Sequence, residues 1–248
     1  LLLHDRLALF CEYDVVNLEN DTLPNKVFNI YGTLGEGLAV CMGYAMAYEY
    51  LLKKVGVECD TVVGYADEFS AVLDGTILQD EQHAWSIVTF RENGTERSYF
   101  VDTTWDDLGL TDSYGNEYIS HRWFCVTLDD IRNEGRVVVD EIYDLSKWDF
   151  SDNTLNYYVY TDAFIESYNF DEVAEIFYNQ KLEGRNQLSI RVADLDTYYE
   201  LKYDMHDNGG LQELLGILGE QSINYNYTYD YSGNGLICFD LYLDYPEE

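Results

Sequence analysis

The stretch Gln82–Trp105, QHAWSIVTFRENGTERSYFVDTTW, decides the fold that we predict for this chain. Two runs rich in β-branched and aromatic residues flank Asn93-Gly94, a dipeptide that strongly favours a two-residue β-hairpin turn. Such a turn pairs Glu92 with Thr95 and thereby sets the register of both strands. The sequence therefore predicts an antiparallel β-hairpin across this stretch.

The hairpin register places a histidine and a carboxylate on the same face of the sheet. Trp85 faces Asp102, and His83 shares that face because side chains alternate along a strand. His83 and Asp102 are then diagonal neighbours, roughly 7–8 Å apart between their backbones, a gap that their side chains can bridge. A loop of odd length or a β-bulge would reverse this parity, so the juxtaposition depends on the turn.

A second informative stretch, AVCMGYAMAY at Ala39–Tyr48, carries one cysteine, Cys41, shortly after a glycine-containing loop. Apolar residues recur at helical spacing from Leu38 onward, which predicts a helix that ends near Gly56. A thiolate is favoured at a helix N-terminus, particularly beside an imidazolium. The alternative is that Cys41 is a small buried apolar residue of an amphipathic helix.

These residues supply the parts of a cysteine-dependent acyl-transfer centre. Cys41 would attack a carbonyl carbon, His83 would transfer the proton, and Asp102 would hold the imidazole in one tautomer. The backbone N–H of Cys41 would help to stabilise an oxyanion. The residues alone leave a second interpretation open, in which His83 is a structural hydrogen-bonding group and Asp102 forms a turn or caps a helix.

The charge of the chain excludes several classes of partner. The 248 residues contain 14 Lys and Arg but 47 Asp and Glu, for a formal net charge of −33. Nucleic acids and anionic membrane surfaces bind through clustered cations, so neither is an expected partner. No run of about 18 apolar residues is present to insert into a membrane. The acidic pairs Asp106-Asp107 and Asp129-Asp130 lack the spacing of a calcium-binding loop.

The cysteines and histidines do not form a recognisable metal motif. Five cysteines are scattered without a C-x-x-C pair, which argues against a disulfide scaffold and against a structural zinc site. His121 and Cys125 have helical i, i+4 spacing, but one such pair is only half of a zinc site. Cys41 and His83 lack a second close pair of ligands. We therefore expect neither a metal nor a cofactor.

The chain is predicted to contain two domains, a core at residues 1–151 and a smaller region at residues 152–248. Strands and helices follow a β-α-β-α-β-β order in the smaller region. Its predicted elements are strands at Leu155–Tyr160 and Gln187–Val192, helices at Phe170–Leu182 and Tyr198–Leu218 (interrupted at Gly209-Gly210), and a hairpin from Asn224 to Tyr242. In the core, the polar stretch Asp67–Glu81 is long enough to form a mobile flap over a cleft.

Three sequence boxes together resemble the transglutaminase-like superfamily, a branch of the papain-like cysteine enzymes, and in particular its bacterial secreted or cell-surface members. The boxes are Cys-Met-Gly-Tyr-Ala at Cys41, His-Ala-Trp at His83 and Asp-Thr-Thr-Trp-Asp at Asp102, in that order. The resemblance runs roughly from Leu3 to Asp107 and does not extend to the smaller C-terminal region.

The resemblance implies an α+β fold with a papain-like, transglutaminase-like core, in which a helix carrying the cysteine packs on an antiparallel sheet, followed by a C-terminal α/β extension. It also implies that Cys41 is the nucleophile, His83 the general base and acid, and Asp102 the residue that orients the histidine. Ser86 departs from the pattern, since many relatives carry Asn there. The resemblance does not identify a side-chain oxyanion donor; Tyr31, before the cysteine helix, is a candidate, and the favoured alternative is that it is a packing aromatic residue.

The implied activity is acyl transfer through a thioester on Cys41, with a protein or peptide as substrate. Hydrolysis, glutamine deamidation and amide crosslinking share the first step, and we favour hydrolysis because a crosslinking enzyme must shield its thioester from water. An alternative from another class is a non-catalytic cell-surface binding module, a role that 24 tyrosines on an acidic protein would suit. The resemblance implies an extracellular or cell-surface location and leaves the oligomeric state open.

Overall fold

A computed structural model describes residues 1–66, 82–111, 115, 117–139, 142–221, 224–230 and 236–244. The chain divides into two compact units, of which the first contains Leu1–Leu110 and Glu117–Asn156 and the second contains the described residues from Tyr157 onward. We predicted a domain boundary between residues 151 and 152, and whether each unit is an independent domain stays a prediction. The predicted flap at Asp67–Glu81 lies outside the described residues.

The part of the chain up to Asn156 is a mixture of short helices and strands. In chain order its elements are α1 (Leu2–Ala8), β1 (Glu12–Tyr13), α2 (Val15–Glu19), β2 (Leu38–Ala39), α3 (Cys41–Lys54), β3 (Glu58–Tyr65), β4 (Gln82–Glu92), β5 (Thr95–Val101), α4 (Thr103–Asp106), β6 (Asp107–Thr111), β7 (Glu117–Ile119), α5 (Leu128–Asn133) and β8 (Val137–Val138). Two 3₁₀ helices and a π-helical turn complete it, at Asn25–Phe28, Leu145–Lys147 and Tyr31–Glu36.

The predicted hairpin forms one side of the main sheet, whose strand order is β5-β4-β3-β8. Neighbouring strands in this sheet are antiparallel, and Glu92 pairs with Thr95 as expected. Asn93 and Gly94 have φ values of 52° and 82°, the positive angles that a type I′ turn requires. The register predicted from the sequence is therefore confirmed.

The cysteine helix α3 begins at Cys41, three residues later than the apolar periodicity suggested, because the residues before it form strand β2. Strand β2 pairs in parallel with β1, whose presence also ends the first helix at Ala8. Helix α3 packs on β3 and β4. Gly43 permits close packing on its other neighbours, since a Cβ atom there would lie 2.4 Å from the Val27 carbonyl oxygen and 2.8 Å from Thr33 Oγ1.

The second unit contains one sheet and three longer helices. Its elements are α6 (Tyr157–Tyr160), β9 (Phe164–Ile165), α7 (Phe170–Leu182), β10 (Gln187–Val192), α8 (Leu195–Asp207), α9 (Gly210–Leu218), β11 (Asn224–Asp230) and β12 (Ile237–Asp244). The strand order is β11-β12-β10-β9, with β9 parallel to β10 and the other pairs antiparallel.

Most predicted elements of this unit are confirmed, with one error. Helix α7, strand β10 and the helix break at Gly209-Gly210 form as expected, and Gly209 has a left-handed φ of 86°. The predicted strand at Leu155–Tyr160 is wrong, because Tyr157–Tyr160 is a helical turn. Tyr157 and its neighbour Tyr158 are both buried, which a helical turn permits and an alternating strand with one exposed face does not.

The molecule thus belongs to the mixed α+β class with largely antiparallel sheets, as predicted. Within the described part of the chain, no helix combines the length and the apolar character that crossing a membrane requires.

Candidate active site

The three predicted site residues come from three adjoining elements of the first unit. Cys41 is the first residue of α3, where the backbone N–H groups of the first turn have no partner within the helix. His83 lies near the start of β4. Asp102 follows β5 and caps α4, since its carboxylate accepts a hydrogen bond from the Trp105 N–H at 3.2 Å.

The structure brings His83 and Asp102 into direct contact. His83 Nε2 and Asp102 Oδ2 are 2.7 Å apart, and both side chains are buried. Cys41 lines the same cavity as His83, so the thiol and the imidazole adjoin one space. The diagonal placement of His83 and Asp102 expected from the hairpin register is therefore present.

The electrostatics of the pair favour a charged histidine. Burial alone would lower the pKa of His83, but the charge of Asp102 and its hydrogen bond outweigh burial and raise this pKa to about 9. Burial alone would raise the pKa of Asp102, yet the positive charges of His83 and Arg136 hold it below its ordinary value. At neutral pH the site therefore holds an imidazolium and a carboxylate.

Arg136 is a member of this centre that sequence reasoning missed. Its Nη1 donates a hydrogen bond to the same oxygen of Asp102 that contacts His83, and the arginine side chain is buried. The guanidinium carbon lies 3.5 Å from the ring centroid of Trp123 and 4.2 Å from that of Trp105. Nε and Nη2 have no hydrogen-bond partner among the described groups. The sequence offered no signal, because an arginine 34 residues from Asp102 has no motif around it.

Arg136 also acts on the protonation of His83. The positive charge of Arg136 lowers the pKa of His83 and so opposes the effect of Asp102. A buried cation that shares the carboxylate thus limits how strongly Asp102 holds the proton on the ring. A proton that is held less tightly is more easily delivered to a leaving group.

Tyr13 is a second residue that the sequence did not indicate. Strand pairing sets Tyr13 beside Ala39, two residues before Cys41, so the tyrosine lies near the start of the cysteine helix. Burial raises the pKa of Tyr13 to about 12, so the phenol keeps its proton at neutral pH and remains a donor. Tyr31, the candidate donor from the sequence, is 65% exposed and has its ring next to Gly35.

Two cavities adjoin these residues. One of about 510 Å³ is lined by Cys41 and His83, and its other walls are mainly the apolar side chains Phe28, Met42, Val63, Val139 and Ile142. The second, of about 470 Å³, is lined by Tyr13 and Trp105, and the Trp105 ring centroid lies 5.7 Å from that of His83. A mainly apolar cavity with a few convergent polar groups is typical of a ligand site.

Cys41 differs from the other cysteines in its exposure. All five are free thiols in the structure. Cys41 is half-buried, whereas the other four are buried. Burial raises the pKa of Cys11, Cys59 and Cys125 to about 12, which makes those thiols poor nucleophiles. Cys41 is thus the thiol that reagents in solution can reach.

Comparison with known proteins finds a partial similarity to two curated proteins. The chain is 31% identical over 108 residues to kyphoscoliosis peptidase of Homo sapiens and 32% identical over 108 residues to kyphoscoliosis peptidase of Mus musculus. Each match covers 43% of this chain and about 15% of the relative, so the chain spans only a small part of the length of these relatives. No family model matches the chain. The similarity to these peptidases is therefore distant and partial.

Proposed function

We propose that the chain is a cysteine-dependent acyl-transfer enzyme that acts on peptide or glutamine amide bonds, with hydrolysis as the favoured outcome. The observation that carries the proposal is the buried contact of His83 with Asp102 at 2.7 Å, beside a cavity that both His83 and Cys41 line. The cavity beside Cys41 and His83, the resemblance of the three sequence boxes to transglutaminase-like enzymes and the distant similarity to a peptidase support it.

The finer fold assignment belongs to the same proposal. A helix that starts at the cysteine and packs on the antiparallel strands β3 and β4 is the arrangement expected of a papain-like, transglutaminase-like core. In this proposal Cys41 is the nucleophile, His83 the general base and acid, and Asp102 the orienting carboxylate. Arg136 acts through Asp102 and is a positioning residue.

In the first step, the Cys41 sulfur bonds to the carbonyl carbon of the substrate, and the carbonyl π electrons move to the oxygen. The imidazolium of His83 stabilises the thiolate before attack, and its proton passes to the nitrogen of the leaving amine as the C–N bond breaks. The amine leaves, and the acyl group remains on Cys41 as a thioester. Neutral His83 is then ready to act as a base.

In the second step, His83 removes a proton from water as the water oxygen bonds to the thioester carbon, and the C–S bond breaks to release the acid and the Cys41 thiolate. An amine in place of water would give crosslinking by the same route. We assign the oxyanion of both steps to the Cys41 backbone N–H, with the hydroxyl of the nearby Tyr13 as a second donor.

Alkylation tests the nucleophile without a known substrate. We expect iodoacetamide to modify Cys41 well below about pH 8, where an ordinary thiol is largely protonated, and we expect peptide mapping to find the four buried cysteines unmodified. Because His83 stabilises the thiolate, His83→Ala should move the Cys41 profile to higher pH. Equal alkylation profiles in the two proteins would contradict the proposal and favour a binding module.

A peptide assay separates the possible reactions. Glutamine-containing peptides are incubated with the protein and a fluorescently labelled primary amine, with Cys41→Ser and Cys238→Ser as a matched pair of thiol variants. Mass spectrometry then distinguishes cleavage, conversion of Gln to Glu and amine incorporation. We expect cleavage that is lost in Cys41→Ser and kept in Cys238→Ser; amine incorporation without cleavage would end the peptidase assignment in favour of crosslinking.

Tyr13→Phe tests the oxyanion donor. Loss of one such donor typically costs about 10²–10³ in kcat, so we expect turnover of 4-nitrophenyl acetate to fall by roughly that factor. The alkylation profile of Cys41 should stay unchanged, because alkylation forms no oxyanion. Tyr31→Phe is the matched control, since its ring is exposed. Equal turnover in the two variants would remove Tyr13 from the mechanism.

A further inference from the structure

We propose that the first unit contains a zinc-binding site formed by His4, Asp5 and His121, a group that the proposed enzyme mechanism does not use. His4 Nδ1 lies 3.0 Å from Asp5 Oδ1, and His121 Nε2 lies 2.9 Å from the same oxygen. The three ligand atoms all lie within 4.8 Å of one another. Among the described residues, this is the group of histidine, cysteine and acidic side chains compact enough to share one ion.

The spacing fits a tetrahedral ion after a small adjustment. Zinc binds imidazole nitrogen and carboxylate oxygen at about 2.0–2.2 Å, so two ligand atoms in a tetrahedral site are roughly 3.4 Å apart. The observed separations of 2.9 and 3.0 Å therefore need to open by about half an ångström. Without the ion, protons hold these atoms together as hydrogen bonds, and the ion would replace those protons.

A buried carboxylate orients the first ligand. His4 Nε2 lies 3.1 Å from Asp106 Oδ2, and both side chains are fully buried. This contact commits Nε2 to Asp106 and directs Nδ1 toward Asp5. A carboxylate behind a metal-binding histidine is the arrangement that sets the tautomer and raises the basicity of the ligand in zinc sites. Asp106 would thus support the site without binding the ion.

The ligand types and their exposure decide which ion fits. Two imidazoles with one carboxylate suit zinc, whereas calcium and magnesium prefer sets of oxygen ligands. Asp5 and His121 are 29% and 16% exposed, so an ion can reach the site from solvent, while the buried His4 closes its inner side. One or two waters would complete the coordination.

A bound ion would link segments of the first unit that are far apart in the sequence. His4 and Asp5 belong to α1, His121 follows β7, and Asp106 ends α4, the short helix that Asp102 caps. Because these segments are far apart in the chain, an ion that binds only the folded arrangement stabilises it by mass action. We expect a structural role for the ion, with the chemistry remaining at Cys41.

The test uses the full chain carrying Cys41→Ser, so that zinc cannot bind the thiol and His83 instead. Protein freed of metal by a chelator is titrated with zinc chloride in a calorimeter near pH 7, and bound zinc is counted by mass spectrometry after dialysis. We expect one equivalent of zinc and a rise in the melting temperature on loading.

Variants decide whether the named residues bind the ion. His121→Ala and Asp5→Asn should each weaken zinc binding by at least about 100-fold, more than loss of an outer-shell group, which costs 10–100-fold. His206→Ala, at the histidine of the second unit, is the matched control and should bind like the parent. Circular dichroism checks that each variant is folded. Absence of tight zinc binding, unchanged affinity in folded His121→Ala, or equal binding of calcium would overturn the proposal.

Discussion

Two clusters of histidine and carboxylate lie in the first unit, and their comparison shows what separates a candidate catalytic centre from a candidate metal site. Asp102 and Asp106 are one helical turn apart at α4, and each bonds a buried histidine, at 2.7 Å to His83 and 3.1 Å to His4. The histidine–carboxylate pair is thus the same in both. The groups around each pair are different.

At Asp102 the remaining neighbours are a cation and a thiol. Arg136 shares the carboxylate, and Cys41 lines a cavity together with His83. At Asp106 the far side of the His4 ring meets Asp5, which also binds a second imidazole, that of His121. A nucleophile beside the ring favours covalent chemistry, whereas a carboxylate and a further imidazole make a set of metal ligands. The groups that adjoin each histidine–carboxylate pair therefore decide which chemistry the cluster favours.

The largest effects are expected when the carboxylate charges of Asp102 and Asp106 are removed one at a time, which tests whether the two clusters have separate roles. Asp102→Asn should lower the kcat for 4-nitrophenyl acetate by about 10³–10⁴-fold, because the wrong histidine tautomer would be held toward Cys41. Asp106→Asn should act mainly on stability, lowering the free energy of unfolding by about 1–3 kcal/mol, since a buried charged hydrogen bond to His4 is lost.

Kinetics and urea denaturation of both variants measure the two effects. A loss of turnover in Asp106→Asn as large as that in Asp102→Asn would mean that the two carboxylates do not have separate roles.

Removal of the buried Arg136 cation tests a group that the Asp102 cluster contains and the Asp106 cluster lacks. Arg136→Met should raise the pKa of His83 above its value of about 9, because the positive charge that opposes protonation is gone. It should also destabilise the protein by about 3–5 kcal/mol, since Asp102 loses a buried partner. NMR titration of the His83 ring and urea denaturation measure the two changes.

Arg122→Met is the matched control for this variant. Arg122 is also buried, lies over Trp123 and pairs with Glu134 at 3.0 Å. We expect Arg122→Met to lower the free energy of unfolding but to leave the pKa of His83 unchanged. An unchanged His83 titration in Arg136→Met would show that Arg136 supports packing alone.

A further test concerns the pH dependence of stability at His83. Its pKa rises from 6.5 in the unfolded chain to about 9 in the folded protein. The corresponding stabilisation is therefore fully present below about pH 6.5 and is lost as the pH rises through about 9. The shift corresponds to about 3 kcal/mol.

Urea denaturation of the parent and His83→Gln between pH 6 and pH 10 tests this prediction. The stability difference between the two proteins should be largest at pH 6 and should shrink by about that amount at pH 10. A difference that stays constant with pH would show that the contact with Asp102 does not keep His83 protonated.

The parts of the fold that were predictable from the sequence depend on local signals. Asn93-Gly94 sets the turn, the turn sets the register of β4 and β5, and the register brings His83 to Asp102. Helix α7 and strand β10 likewise follow from apolar periodicity. These signals succeed because each acts over a few residues and is strengthened, not overruled, by packing.

The elements that were mispredicted depend on tertiary contacts. Helix-like apolar spacing from Leu2 to Tyr13 predicts a first helix of that length, but the helix stops at Ala8, because Glu12 and Tyr13 pair with residues near Cys41. The run Leu155–Tyr160 looks like a strand by composition, but two adjacent buried tyrosines make a helical turn there. Tertiary burial overrides strand propensity when both faces of a short segment are covered.

By itself, the sequence determined the α+β class, the hairpin of β4 and β5, and the placement of an imidazole and a carboxylate on one face of the sheet. Only the tertiary structure decided what surrounds that pair: Arg136 beneath Asp102, Tyr13 near the start of the cysteine helix, and a second histidine cluster around Asp5. The physical reason is the separation along the chain of the residues that interact. Turn and helix preferences are written in neighbouring residues, whereas the charge and hydrogen bonding of a buried site depend on groups that only the packed chain brings together.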